Sequence, residues 1–298
     1  MVGASRTTLV SMSREYPPRK PAQRGVAVAG LSSSSPRSHS VVRLGRVLLA
    51  LALAAWLSAC GNDGRPEGPQ GAQPSPSATS AAPRPITRTV VLGRSVDGRR
   101  IAAVELRASR PGRVVLVVGC IHGSAECAGL AVTRLLLQGP KPTAGDLWIV
   151  PDLNPDGRAR GTRTNARGVD LNRNFPTGWR RLYQPGDPQY SGPRPLSEPE
   201  TRIAARLIRR IRPDVTIWYH QPQDVVRAWG PSVEAARRYA RQAGARFRLL
   251  RWLSGTAPNW QNHAFPGSAS FVVEFASGQL RPAVAHRHAR AVRAMLAR

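Results

Sequence analysis

Apolar and polar positions along the chain follow two alternating patterns. Short, almost wholly apolar runs, such as residues 114–118 and 271–275, are typical of strands that are covered on both faces. Residues 128–138 instead carry apolar side chains at helical spacing and end at Gly139-Pro140, which predicts a helix and its end. Strands and helices in alternation predict an α/β fold, with a mostly parallel mixed sheet and helices on both faces.

The same patterns predict the elements of the folded part of the chain. The predicted strands are 89–92, 101–106, 114–118, 146–150, 215–219, 247–250 and 271–275. The predicted helices are 128–138, 233–242, 282–296 and one that opens at the capping box Ser197-Glu198-Pro199-Glu200 and ends near Arg212. The predicted connections are a hairpin turn at Asp97-Gly98, a turn at Asn154-Pro155-Asp156-Gly157, a long polar loop at 158–196 and a loop through Trp260.

The N-terminal region has a different character. Residues 1–40 are rich in Ser, Pro and Arg, which predicts disorder. The apolar run at 47–59 is shorter than the roughly 20 residues that span a membrane, so it fits the apolar region of a secretory signal. Its end at 57–61 resembles a bacterial lipobox, which implies cleavage before Cys60 and a lipid on the Cys60 sulfur. An ordinary signal peptide and a short buried helix are the alternatives.

These features divide the chain into three parts. Residues 1–59 are the leader and signal peptide, residues 60–86 are a flexible lipid-anchored linker, and residues 87–298 are the folded domain. The expected location is the extracytoplasmic face of a bacterial cell membrane, or the exterior if the chain is secreted without a lipid.

The strong positive charge does not by itself indicate a nucleic-acid-binding site. The formal net charge is +27, but the basic residues are almost all arginine and are scattered through every segment. A nucleic-acid footprint would concentrate them in one stripe with aromatic residues between them. We therefore expect no nucleic-acid partner, although a cationic surface can attract anionic cell-wall polymer or membrane.

Candidate metal ligands stand at the ends of predicted strands. His122 and Glu126 follow the strand 114–118, and His220 follows the strand 215–219. Because ligands bind beside the carboxyl ends of strands in α/β sheets, these side chains are expected to meet there. Two histidines and a carboxylate are the ligand set of many catalytic zinc sites. Cys120 and Cys127 flank the first pair and either form a disulfide or stay free.

Five segments together resemble a known family. They are Gly119-Cys120-Ile121-His122-Gly123, Asn154-Pro155-Asp156-Gly157, the stretch Gly168 to Phe175, Trp218-Tyr219-His220 and Phe271-Val272-Val273-Glu274. In this order they resemble the zinc carboxypeptidases of the carboxypeptidase A type, and most closely the bacterial branch that contains murein tripeptide amidase. The resemblance covers roughly residues 87 to 298.

The resemblance implies a role for each matching residue. It implies one Zn²⁺ held by His122, Glu126 and His220, with Glu274 as the general base. Arg163 would polarise the scissile carbonyl, with Arg160 as the alternative. Asn172 and Arg173 would bind a free carboxylate of the substrate, and Asp170 would orient His122. These roles agree with the chemistry of zinc hydrolysis and with the fit of a guanidinium to a carboxylate.

Two positions depart from the family pattern. The family glutamate follows its histidine by three residues, whereas Glu126 follows His122 by four. Four-residue spacing on a helical turn also brings two side chains to one face, so Glu126 remains the expected ligand. The mobile tyrosine that covers the substrate in the family has no match, although Trp252 lies near the expected place. Among the other polar residues, Asn165 is expected to be structural, and His286 and His288 to be solvated.

We therefore expect a monomeric zinc metallocarboxypeptidase or amidase. It would hydrolyse an amide bond next to a free carboxylate in a peptide or a cell-wall stem peptide (muropeptide). The alternatives are a zinc deacylase of N-acyl amino acids, a non-catalytic cell-wall-binding lipoprotein of the same fold and a polyanion-binding protein driven by charge.

Overall fold

The computed structural model describes residues 85–297. The predictions for the leader, the apolar run at 47–59, the lipobox with Cys60 and nearly all of the linker lie outside these residues. The strands are β1 (Ile86–Arg94), β2 (Arg100–Arg107), β3 (Val114–Val118), β4 (Asp146–Val150), β5 (Val215–His220), β6 (Gln223–Ala228), β7 (Phe247–Leu249) and β8 (Ala269–Ala276). The helices are α1 (Gly129–Gln138), α2 (Pro155–Arg160), α3 (Pro199–Ile211), α4 (Val233–Ala243), α5 (Ala257–Ala264) and α6 (Pro282–Ala294).

Within residues 85–297 the strands form one mixed sheet of eight. The spatial order is β1-β2-β4-β3-β5-β8-β6-β7. The four central strands, β4, β3, β5 and β8, are parallel, and β1, β2 and β6 join them through antiparallel pairs. The predicted α/β fold with a mostly parallel mixed sheet is confirmed.

Helices cover both faces of the sheet because the central strands are apolar on both faces. Val115 and Val117 point to one face and belong to a core shared with α1, α4 and α6. Leu116 and Val118 point to the other face and belong to a core shared with α3 and α5. Successive side chains of a strand alternate between faces, so a nearly continuous apolar run serves both cores.

Tertiary contacts override several local predictions. The predicted turn after Asn154 is the start of α2, because the Asn154 side chain accepts a hydrogen bond from the Gly157 amide (3.0 Å) and caps the helix. The stretch through Trp260 is helix α5 rather than a loop. Strand β6 is absent from the sequence prediction because its short Val225-Val226 run is stabilised by pairing with β8.

Two polar predictions were also wrong. The capping box before α3 does not form: the N-cap is Glu198, whose side chain makes no capping bond, and the Glu200 carboxylate accepts from the Val96 amide (3.0 Å). His288 is buried rather than solvated, and its Nδ1 lies 2.8 Å from the Tyr239 hydroxyl. His286 is exposed, as predicted. None of the helices of residues 85–297 has the length and apolarity needed to cross a membrane.

Candidate active site

A pocket opens at the carboxyl ends of β3, β5 and β8. His122 follows β3, His220 ends β5 and Glu274 lies in β8, directly opposite His220 in the strand register. The cavity measures about 350 Å³ and brings together the predicted His122, Glu126, Arg163, Asn172, Arg173, His220 and Glu274. Asp170 lies just behind this wall and is fully buried. Since parallel strands end at a common edge, their order in the sheet explains this convergence of residues far apart in sequence.

The segment between β3 and α1 is held tightly at both ends. A disulfide joins Cys120 and Cys127, so His122 and Glu126 lie within one closed ring of the chain. Gly123 allows this ring to pack against α2, because a Cβ there would lie 2.1 Å from the carbonyl carbon of Gly157. The choice between a disulfide and free thiols, open from the sequence, is a disulfide in this structure.

His122 is fixed through both ring nitrogens. Its Nε2 lies 2.9 Å from Asp170 Oδ1, and its Nδ1 lies 2.8 Å from Glu126 Oε2. The contact expected between Asp170 and His122 is therefore present. Asp170 also accepts from the Asn172 amide (2.9 Å) and so caps the short 3₁₀ turn that presents Asn172 and Arg173 to the pocket. One buried carboxylate thus positions His122 and, through the turn, Asn172 and Arg173.

Arg163 binds both carboxylates around His122. Its Nη1 donates to Glu126 Oε1 (2.6 Å), and its Nε and Nη2 donate to Asp170 Oδ2 (3.1 and 3.0 Å). Arg160, the alternative, is exposed, does not line the pocket and pairs with Asp97 (2.8 Å). Of the two alternatives, Arg163 therefore lies in the pocket, and its donors point to protein carboxylates.

The pKa values of this cluster follow from its charges. Burial disfavours the charged form of Glu126, but the hydrogen bond and charge of His122, and then Arg163, lower its pKa to about 2. Burial likewise opposes ionisation of Asp170, yet His122 and Arg163 hold its pKa well below the ordinary range. Burial would also lower the pKa of His122, but the charge of Asp170 raises it. Both carboxylates are ionised at neutral pH.

His220 is held as a neutral ring. Burial and the neighbouring His122 lower its pKa well below the ordinary value. Its Nε2 lies 3.0 Å from Asn172 Nδ2, and its ring centroid lies 4.9 Å from that of His122. Asn172 also accepts from the Ala257 amide (3.0 Å) through Oδ1. Both ends of the Asn172 amide therefore orient protein groups, whereas the sequence assigned Asn172 to the substrate.

Arg173 makes no direct contact with a carboxylate among residues 85–297. Its Nη1 donates to the Asn172 carbonyl (2.9 Å) and its Nη2 to Gln189 Oε1 (3.0 Å). Gln189 was missed by the sequence analysis, since it lies in the long polar loop with no local signal. These neutral partners orient the guanidinium and leave its positive charge available for an anionic ligand.

Glu274 is the unusual carboxylate of the pocket. It is 8% exposed, and its Oε2 is buried with no hydrogen-bond partner in the described part of the chain. Burial raises its pKa above the ordinary value, although the charge of Arg227 opposes that rise. An unpaired buried carboxylate in a cleft is the arrangement expected of a proton acceptor.

The donor chemistry of the pocket fits a divalent metal. Across residues 85–297, no three His, Cys, Asp or Glu side chains form a ready-made metal cluster. His122 and Glu126 nevertheless touch, and the neutral His220 ring lies beside His122. Asp170 holds Nε2 of His122, which leaves Nδ1 directed at Glu126. An ionised carboxylate and two imidazoles match the preference of zinc for nitrogen and oxygen donors.

Curated relatives of the chain include bacterial and animal enzymes. Murein peptide amidase A of Escherichia coli K12 is 34% identical over 118 residues, which cover 36% of this chain and 48% of the relative. Human carboxypeptidase A6 is 32% identical over 150 residues, 41% of this chain and 34% of that protein. The chain thus spans about half the length, or less, of these relatives.

Solved structures share the fold. Murein-tripeptide amidase MpaA from E. coli O157 superposes with a TM-score of 0.57 and 24% identity, covering 71% of this chain and 97% of that one. Carboxypeptidase A from Helicoverpa armigera gives a TM-score of 0.57 and 19% identity, covering 70% and 69%. Residues 78–264 match the family described as zinc carboxypeptidase, more than half of the chain. The resemblance found in the sequence is confirmed, and the chain belongs to the zinc carboxypeptidase family.

Proposed function

We propose that this protein is a zinc-dependent hydrolase that cleaves an amide bond next to a free carboxylate. The observation that carries this proposal is the single cavity that His122, Glu126, His220, Arg173 and Glu274 share. It combines metal-donor side chains, a proton acceptor and a cation for a terminal carboxylate. We further propose a peptide or cell-wall stem peptide as the substrate, because one relative is a murein peptide amidase.

His122, Glu126 and His220 would hold one zinc ion. When bound, zinc lowers the pKa of its water ligand to near 7 and polarises the substrate carbonyl. The lowered pKa values keep two of the three donors in the ionisation state that zinc requires: Glu126 anionic and His220 neutral. Asp170 fixes the orientation of the His122 ring by accepting from its Nε2.

Glu274 would accept a proton from the attacking water and deliver it to the leaving amine. Its Oε2 has no hydrogen-bond partner among residues 85–297, so it can accept that proton without breaking an existing bond. The raised pKa brings the carboxylate closer to the pKa values of the groups between which it moves the proton.

The arginines would position the substrate. Arg173 offers a guanidinium to the free carboxylate, which explains selection for a chain end. Arg163 holds Glu126 and Asp170, so it first acts as a positioning residue. Its proposed contact with the scissile carbonyl requires one of its donors to turn toward the substrate.

A substrate panel with metal-loaded protein tests the proposal. Muropeptide stems, plain dipeptides and N-acyl amino acids are compared, with His220→Ala as the inactive control. We expect release of a C-terminal residue from a peptide and loss of at least about a hundredfold in the variant. Hydrolysis confined to N-acyl amino acids would instead identify a deacylase. Binding of wall fragments without turnover would identify a non-catalytic binding module. Salt-sensitive binding of polyanions that persists in the His220→Ala variant would identify a charge-driven binding protein.

We also propose export and lipid anchoring at Cys60. The Cys120–Cys127 disulfide supports export, because disulfides persist in oxidising compartments. Metabolic labelling with palmitate should mark the wild type and leave Cys60→Ala unlabelled. An unlabelled wild type would contradict the anchor.

A further inference from the structure

The wall of the pocket beside Glu274 carries an arginine that the sequence analysis missed. Arg227 lies in β6, opposite Val272 of β8, and both residues line the cavity. Val225, two residues earlier in β6, is the register partner of Glu274. The antiparallel β6–β8 pair therefore places the Arg227 guanidinium and the Glu274 carboxylate in one wall.

Arg227 has no direct partner in the described part of the chain. Its Nε is buried and makes no hydrogen bond. No carboxylate oxygen of residues 85–297 lies within 4.0 Å of its nitrogens, and Glu274 acts on it only through space. Burial lowers the pKa of Arg227, which reflects the cost of desolvating the cation. A half-buried guanidinium without a partner is costly, so a ligand that pairs with it gains binding energy.

Arg173 faces the same cavity and likewise makes no direct contact with a carboxylate of residues 85–297. Burial lowers its pKa; the charge of Asp170, acting through space, opposes this, and the nearby charges of Arg163 and Arg227 lower the pKa further. Arg163 differs, because Glu126 and Asp170 compensate its charge. The cavity therefore holds two guanidinium groups, on separate elements, whose charges no protein carboxylate neutralises through a direct contact in the described residues.

We propose that Arg227 binds a second carboxylate of the substrate, so that the enzyme prefers to release a dicarboxylic amino acid. This inference rests on the proposed function: Arg173 takes the carboxylate next to the scissile bond, and Arg227 takes the carboxylate of the side chain. The matching class contains residues with an acidic side chain. Two separated carboxylates on one leaving residue satisfy both guanidiniums at once.

A competing explanation assigns Arg227 to Glu274 alone. The charge of Arg227 lowers the pKa of Glu274, so the arginine could serve the base for every substrate equally. The two explanations differ in selectivity. If Arg227 serves only Glu274, its removal changes the hydrolysis rates of acidic and neutral substrates by the same factor. If Arg227 binds the substrate side chain, its removal changes the ratio of these two rates.

The test compares two peptides that differ only in the terminal residue, Glu or Gln, which have nearly the same size. With the full wild-type chain, at a pH where the rate is constant, we expect kcat/KM for the Glu peptide to exceed that for the Gln peptide by about 10- to 100-fold. Arg227→Met should reduce this ratio to about two or less, mainly through loss on the Glu peptide. Arg227→Lys should retain part of the preference, because it keeps the charge but loses the planar fork.

Arg248→Met is the matched control. Arg248 is the register partner of Arg227 on β7, is exposed and does not line the cavity. Its removal deletes the same charge and should leave the ratio unchanged. Equal rates for the two peptides in the wild type, or an Arg227→Met variant that keeps the wild-type ratio, would overturn the inference while leaving the proposed hydrolase intact.

Binding separates the two proposals if hydrolysis is absent. Calorimetry with Glu274→Gln measures the affinity for each peptide without turnover. Tighter binding of the Glu peptide that is lost when Arg227→Met is added would support the dicarboxylate site. This holds even if the wild type cleaves neither peptide, because absence of cleavage would contradict only the proposed function. Equal affinities would overturn the dicarboxylate site.

Discussion

Two regions of the sheet contain a buried glutamate, and the two carboxylates differ in whether they have an ion-pair partner. At the β1–β2 edge, Glu105 is 0% exposed and pairs with Arg88 and with Arg107 (2.7 Å). In the pocket, Glu274 is 8% exposed and its Oε2 has no partner among the described residues. Removing a compensated buried carboxylate leaves its partners unpaired and destabilises the fold, whereas an uncompensated carboxylate itself lowers stability and keeps its oxygen available for chemistry. The comparison predicts that equivalent substitutions will separate stability from activity.

The largest effect is expected for Glu274→Gln. This variant keeps the shape of the side chain but cannot accept a proton, so hydrolysis should fall by about 10²–10⁴-fold. Its melting temperature should stay equal or rise, because an unpaired buried charge is removed. Steady-state rates and calorimetric melting measure the two outcomes.

Glu105→Gln is the matched variant at the other edge. Loss of charge opposite Arg88 and Arg107 should cost about 1–3 kcal/mol of unfolding free energy. Hydrolysis at a temperature where the variant is folded should remain near the wild-type rate. The comparison fails if Glu274→Gln destabilises the protein and Glu105→Gln inactivates it.

The disulfide should contribute to both stability and activity. Replacing Cys120 and Cys127 with serine opens the ring that contains His122 and Glu126. Loss of a short closed loop costs about 2 kcal/mol in the chain-entropy description. Urea unfolding and hydrolysis assays should both show a loss. Cys60→Ser, which removes a cysteine outside this ring, is the control, and unchanged unfolding of the double variant would contradict the role of the ring.

The smallest effect concerns pH. As the proposed general base, Glu274 must be ionised to accept a proton, and burial raises its pKa above the ordinary 4.5. The rate should therefore fall, as pH decreases, at a pH above 4.5. Arg227→Met removes a charge that lowers this pKa, so the acid limb should move to higher pH. A wild-type limb at or below 4.5 would contradict the raised pKa.

The sequence predicted most of the strands and helices because these elements depend on short-range patterns. The apolar runs at 114–118 and 215–219 become central strands β3 and β5, and the end signal Gly139-Pro140 follows helix α1. The hairpin turn at Asp97-Gly98 joins β1 and β2. Each of these elements is specified by its own residues, so local rules suffice.

Elements that depend on partners were not predictable in the same way. Strand β6 has only a short apolar core and exists through its pairing with β8. Helix α5 has weak apolar periodicity and is anchored by polar bonds such as that of Asn262 Nδ2 to the Ser270 carbonyl (2.9 Å). Arg227 lies on β6, so its place in the pocket could not be known before the strand itself.

Within the site, the sequence predicted which residues meet and the contact of Asp170 with His122, but not the other bonds. The order of the strands brings His122, His220 and Glu274 to one edge. The bonds of Arg163 to Glu126 and Asp170, and of Asn172 to His220, depend on side-chain directions in two turns. No spacing rule encodes these directions. The ligand set and the residue roles therefore remain predictions for experiment.

The most direct test is the zinc content of the purified full chain after metal loading and dialysis. Glu126→Ala and His220→Ala are measured beside the wild type, with peptide hydrolysis followed in the same samples. The account predicts about one zinc per wild-type chain, and a loss of zinc and hydrolysis together in both variants. A wild type that retains no zinc, or variants that keep both zinc and activity, would contradict it.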